Sequence, residues 1–195
     1  MKKELIARII GIFFFVLGLI AIANAIYYER PHLLFWFCYL GLLIMGIGFL
    51  RKDAALVTSQ LNILTIPLLV WTFDFISAIL LKDSILGITD YFFTEVSWVV
   101  RFVTLQHVFT IPLAFYALSS LKFKRYDAWK LSFFQLTLVF FITRAFTFSE
   151  TNTNCVYYSC LPLQFPSYYP VAWFVITFLS VMIVNLFIKN VFSRK

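Results

Sequence analysis

Apolar residues run along this chain in six stretches, residues 5–28, 33–50, 54–81, 95–121, 128–148 and 171–191, separated by short breaks that hold charges, prolines and turn-forming residues. As a helix rising ~1.5 Å per residue, each stretch is long enough to cross the apolar core of a bilayer or most of it. The pattern predicts an all-α, polytopic membrane protein in which residues 1–195 form a single bundle of six transmembrane helices, with no internal repeat and no low-complexity linker. Lys2 and Lys3 precede the first stretch as they would a secretory signal. That stretch is longer than a signal core of about 7 to 15 residues, and the run from Asn24 to Tyr28 makes a poor cleavage site, so a retained helix is expected.

Alternating the breaks between two sides sorts the basic residues. Lys2, Lys3, Arg8, Arg51, Lys52, Lys122, Lys124, Arg125, Lys130, Lys189, Arg194 and Lys195 fall on one side, and only Arg30 and Lys82 on the other. The basic side reads as cytoplasmic, with both termini there and the cell's inner (plasma) membrane as the location. Tyr91, Phe92, Phe93, Tyr157, Tyr158, Tyr168 and Tyr169 cluster at the outer breaks, like an interfacial aromatic belt.

Composition agrees: a chain that is 62% hydrophobic, 21% aromatic and 13% charged has too little polar surface for a water-soluble globule. A net charge of +7 could suggest nucleic acid, but the cations flank apolar runs instead of forming a patch, and nucleic-acid binding is excluded on that ground. Membrane lipids are the expected partners. A second copy of the chain, or another membrane protein, is left open.

Ionisable groups within the apolar runs need partners or a wet cavity, at a cost of about 2.5 to 3.5 kcal/mol each on insertion scales. Asp74, Arg101, His107 and Arg144 are such groups. Measured from the cytoplasmic helix ends, these four, with Asn24 and Cys38, fall about 18 to 30 Å up the bundle. The outer half is therefore expected to hold a polar cavity, with Asp74 neutralising Arg101 or Arg144. Arg101 and Asp74 could instead snorkel to the outer interface. Trp71 shares a helical stripe with Asp74, Thr104 lies between Arg101 and His107, and Pro112 is expected to kink the fourth stretch and free the Val108 carbonyl. Cys155 and Cys160 lie in an outer break, where they could be bridged. No Cys/His cluster has metal-ligand spacing and no glycine-rich phosphate loop occurs, so neither metal nor cofactor is expected.

Several of these segments, in this order, resemble the YwaF-like integral membrane family, whose eukaryotic relatives are described as ether-phospholipid acyltransferases using cysteine and histidine. Phe37-Cys38-Tyr39-Leu40 resembles the family's cysteine motif, and Leu105-Gln106-His107 with Pro112 its histidine segment. Thr143-Arg144 followed by Thr153-Asn154-Cys155-Val156-Tyr157-Tyr158 resembles its Asn-Arg and Thr-Asn-Tyr-Met-Phe stretch, and Tyr169-Pro170-Val171-Ala172-Trp173 its entry to the last helix. Trp36 stands where bacterial members carry a histidine, and Tyr39 where Asp or Asn follows the cysteine. More distantly, the chain resembles the androgen-induced-gene hydrolases of fatty-acid esters of hydroxy fatty acids.

Three functions are open at this point. In a lipid acyltransferase or lipid-ester hydrolase, Cys38 attacks, His107 carries its proton, and Arg101 or Arg144 holds a phosphate or oxyanion. In a non-catalytic binding or transport protein, Asn24, Trp71, Asp74, Arg101, Thr104 and Arg144 hold a small anion or lipid head group. In a structural subunit of a membrane complex, the same groups serve packing. The first requires Cys38 and His107 within hydrogen-bond reach.

Overall fold

The computed structural model describes residues 2–94, 96–121, 127–162 and 168–192. They are helical, with no strand among them: α1 (Lys2–Tyr27), α2 (Phe37–Leu50), α3 (Ala54–Leu81), a single turn α4 (Asp90–Phe93), α5 (Trp98–Leu118), α6 (Ala128–Phe146) and α7 (Tyr169–Phe192), with three short 3₁₀ turns between them. Four helices, α1, α3, α5 and α7, are long and apolar enough to cross a membrane. The basic segment 122–126, Arg194 and Lys195 lie outside the described residues, as does the side chain of Lys2.

The third helix keeps the boundaries its apolar run predicts, because both ends carry clear stop signals. Asp53 caps α3 by accepting hydrogen bonds from the N–H groups of Ala55 and Leu56, and Lys82 closes it in the left-handed region at φ 60°. The second stretch divides. Pro31 opens a 3₁₀ turn (Pro31–Phe35), Trp36 is extended, and α2 begins only at Phe37. The fourth starts later than expected, at Trp98, where Ser97 caps the helix through the N–H of Val100. At the far end of α6, Thr147 turns extended, which shortens the fifth stretch by two residues against the expected 128–148.

α3 is the hub, packing against α2, α5, α6 and α7, while α1 packs on α2 and α5. The α1–α2 hairpin is antiparallel, since Gly11 lies against Gly46 and Phe49 whereas Gly18 lies against Leu43. A Cβ on Gly46 would stand 2.7 Å from the Phe15 backbone nitrogen and 2.9 Å from the Gly11 carbonyl oxygen, so only glycine permits this backbone contact. Phe14, Leu42, Met45, Leu61, Leu64, Val184 and Ile188 fill the core. Leu69, Phe73 and Leu80 on α3 and Leu179, Ile183 and Leu186 on α7 face outward, as lipid-facing surfaces do.

Candidate functional site

The hydrogen bonds of the six polar or reactive positions predicted for the outer half do not join them to one another. Asp74 is fully buried, and its partners are neither arginine. Its carboxylate accepts from the N–H of Leu86 at 2.6 Å, the N–H of Thr89 at 3.0 Å and the Thr89 hydroxyl at 2.8 Å. Three donors satisfy a buried carboxylate as an ion pair would, and here they come from the loop that follows its own helix. Ser77 extends the clasp, donating to the Asp74 carbonyl and accepting from the N–H of Ile85. Ser84 and Asp90, hydrogen-bonded to each other, close the loop.

The arginines are correspondingly outside. Arg101 is exposed and donates from Nη2 to the Thr94 carbonyl at 3.1 Å, which matches the snorkelling alternative. Arg144 is also exposed. It lies 5.0 Å from the Tyr157 ring centroid and 5.6 Å from that of Phe140, and donates to the Val156 carbonyl. The expected Asp74–arginine pair is thus corrected: the donors that neutralise Asp74 sit in 82–94, a break whose backbone N–H groups a search for charges overlooks.

Cys38 and His107 are both buried, but no hydrogen bond joins them. Nδ1 of His107 lies 2.6 Å from the Thr104 carbonyl, close enough to donate to it, and Gln106 Nε2 lies 3.2 Å from the same nitrogen. The imidazole stacks on Trp71 with ring centroids 4.6 Å apart, and Trp71 stacks in turn on Phe75 at 5.0 Å. Tyr91 touches both surroundings: its hydroxyl accepts from Trp71 Nε1 at 3.2 Å and meets the Thr104 hydroxyl, and it lies in electrostatic range of Cys38. Burial pushes the Tyr91 phenol up to about 12, so it is a neutral hydrogen-bonding group and no base at physiological pH. Pro112, which has no N–H to offer the Val108 carbonyl, stays within a continuous α5, and the neighbouring His107 carbonyl accepts from Thr72 on α3. Asn24 is buried in α1 with no side-chain hydrogen bond to this cluster.

Cys38 occupies the first turn of α2, with its own N–H and that of Tyr39 in hydrogen-bonding range of the sulfur. What holds this turn is Asn154. Its Oδ1 accepts from the N–H of Phe37 at 3.0 Å and its Nδ2 donates to the Phe35 carbonyl at 2.7 Å, while its own carbonyl accepts from Trp173 Nε1. Asn154 adopts φ 56°, a left-handed conformation that asparagine tolerates better than most residues. A disulfide joins the adjacent Cys155 to Cys160, and Tyr169 donates to the Cys155 carbonyl. Asn154 thus ties α2, α6 and α7 together, a role its position in a loop between apolar runs does not reveal.

A further polar group lies where α3, α6 and α7 meet. Gln60 and Asn62 on α3 bond Gln135 on α6 and Asn185 on α7, with Ser132 between them. Among the described residues no group of three His, Cys, Asp or Glu side chains is placed to hold a metal ion.

At the C-terminal end of α1, Ala25, Ile26, Glu29, Arg30 and Pro31 line an open cleft of about 340 Å³. The Arg30 guanidinium has no ion-pair or side-chain hydrogen-bond partner among the described residues, and it lies in electrostatic range of both Tyr39 and His32. Burial first, and the Arg30 charge second, hold the His32 imidazole below its ordinary range. No family model matches this chain, nor does any curated protein or solved structure.

Proposed function

We propose that the chain crosses the membrane six times with both termini in the cytoplasm, and that its outer face binds the phosphate of a lipid head group at Arg30. Support for six crossings comes from α2, which runs antiparallel to α1 through contacts from Gly11 to Gly18, and from α6, whose 19 residues give ~28 Å of rise. The disulfide in the 152–160 segment fits an oxidising outer compartment.

The observation that carries the binding reading is a cation without an ion-pair partner on the rim of a cleft whose other lining residues are Ala25, Ile26, Pro31 and Glu29. Glu29 on the same rim would accept the ammonium of a zwitterionic head group while Arg30 takes the phosphate. Native mass spectrometry of the protein released from phospholipid nanodiscs tests this. Arg30→Gln should weaken retention of a bound phospholipid about tenfold, the scale of one lost charge-assisted hydrogen bond. In the wild-type protein, a bound phosphate should raise the His32 pKa, because an anion favours imidazolium. Equal retention by the variant and an unmoved His32 would contradict the reading.

A second reading, lipid acyl transfer, is favoured by the free thiol of Cys38 in the first turn of α2, which the backbone N–H groups of Cys38 and Tyr39 approach. In that reaction the sulfur forms a thioester with the acyl carbon, the ester C–O bond breaks, and the thiol proton goes to the departing alcohol. Incubation with a lipid ester should then yield a hydroxylamine-labile acyl adduct on Cys38 that is lost in Cys38→Ser. Lipid retention without any adduct supports binding alone.

A further inference from the structure

The polar group where α3, α6 and α7 meet is incomplete as a set of protein–protein hydrogen bonds. Asn62 is fully buried, and its amide nitrogen directs its hydrogens to Ser132 Oγ at 3.3 Å and Asn185 Oδ1 at 3.1 Å. Ser132 has a single hydroxyl proton, and its Oγ lies 3.1 Å from both the Ser59 and the Ala128 carbonyls, which can only accept; toward Asn62 it is therefore the acceptor. In this orientation of the Asn62 amide its Oδ1, with two lone pairs, has no partner. Thr58, also fully buried, lies one helical turn earlier on the same face, and its Oγ1 has no partner either.

Two orphan oxygens in one buried stripe are costly in a lipid-embedded bundle, where bulk water cannot reach them. Side chains at i and i+4 share one helix face with Cβ atoms about 5 to 6 Å apart; the Thr58 and Asn62 oxygens are not bonded to each other, and one bridging molecule with two bonds of about 2.8 Å can reach both. The surrounding ligands are neutral amides and hydroxyls, and no carboxylate takes part in the hydrogen bonds of this group. A metal cation there would sit without a compensating charge in a low dielectric. We propose that Thr58 and Asn62 hold a buried water molecule that completes a hydrogen-bonded bridge between α3, α6 and α7. Such a water is part of the fold, and its loss is felt as the loss of a buried hydrogen-bonded group.

A double-mutant cycle on the full-length protein in detergent tests the site, with Thr58→Val and Asn62→Leu as shape-conserving replacements. If the water is there, Thr58→Val should lower the melting temperature by about 2–4 °C, and its effect should shrink in the Asn62→Leu background although the two side chains share no direct bond. An unchanged or raised melting temperature for Thr58→Val, or strict additivity, would overturn the proposal, since removing a truly unpaired hydroxyl is neutral or favourable. Should Asn62→Leu fail to fold, solid-state NMR of the wild-type protein gives the answer: water-to-protein magnetisation transfer should reach the Asn62 amide and Thr58 hydroxyl, and no transfer would refute the site. Exchange of choline for sodium at constant ionic strength should leave the melting temperature unmoved. A sodium-specific rise would replace the water with a cation.

Discussion

The half of this bundle at the C-terminal end of α1, called outer here for the proposed topology, and the opposite, inner half both bury polar side chains, but they satisfy them in different ways. In the outer half, buried Asp74 and Asn154 bind backbone groups of loops and helix ends, so each clamps a connecting segment onto the bundle. In the inner half, Gln60, Asn62, Ser132, Gln135 and Asn185 bind chiefly one another across α3, α6 and α7. The first arrangement fixes loop conformation and the position of the first turn of α2. The second fixes helix register and rotation, as interhelical amide bonds in membranes do. Loss of an outer clamp orphans backbone groups that have no alternative partner, whereas paired inner side chains can be removed together.

That difference orders the expected effects of substitution. Asn154→Ala should be the most damaging, because it strands the Phe37 N–H and the Phe35 carbonyl and puts alanine at φ 56°. At about 1 to 3 kcal/mol for each stranded group, a loss of at least 3 kcal/mol is expected in reversible unfolding in mixed micelles. A loss under about 1 kcal/mol would mean that the clamp is incidental.

Asp74→Asn should come next, at about 2 kcal/mol, since one carboxylate oxygen becomes an amide facing an N–H donor. Its cost should add simply to that of Arg101→Gln or Arg144→Gln. Recovery of stability in either double variant would restore the ion pair that the loop geometry replaces.

Smallest should be the paired change Gln60→Leu with Gln135→Leu, which removes both partners of one inner bond and should stay within about 1 kcal/mol of wild type. Either single change should cost more than the pair. A pair costing more than the two singles summed would place the inner network on the same footing as the outer clamps.

The helices and their order could be read from the sequence because apolar length is a strong signal, and α3 was delimited correctly by Asp53 and Lys82. The entry to α2 was misread because Pro31 and the extended Trp36 break a run that is uniformly apolar. At the site, the outer-half polar residues stood out as charges, but their partners did not. Charge pairing is visible in a sequence. A backbone N–H that a loop turns inward is not, and Thr89 and Leu86 carry no mark that they will meet Asp74. His107 and Cys38 reach similar depth, yet depth along separate helices says nothing of which faces meet: His107 stacks on Trp71, and Tyr91, bonded to Trp71, is in electrostatic range of Cys38.

Cys38 is the free thiol of the chain, the other two cysteines being joined in the disulfide, so its reactivity can be read without interference. The rate of its alkylation by a membrane-permeant maleimide, compared between wild type and His107→Ala, tests most directly whether these two residues are separate elements of the outer half. The same rate in both, within about a factor of two, is expected of a thiol that has no hydrogen bond to the imidazole. Alkylation slowed about tenfold or more in a folded His107→Ala protein would contradict the separation and make the two residues a working pair.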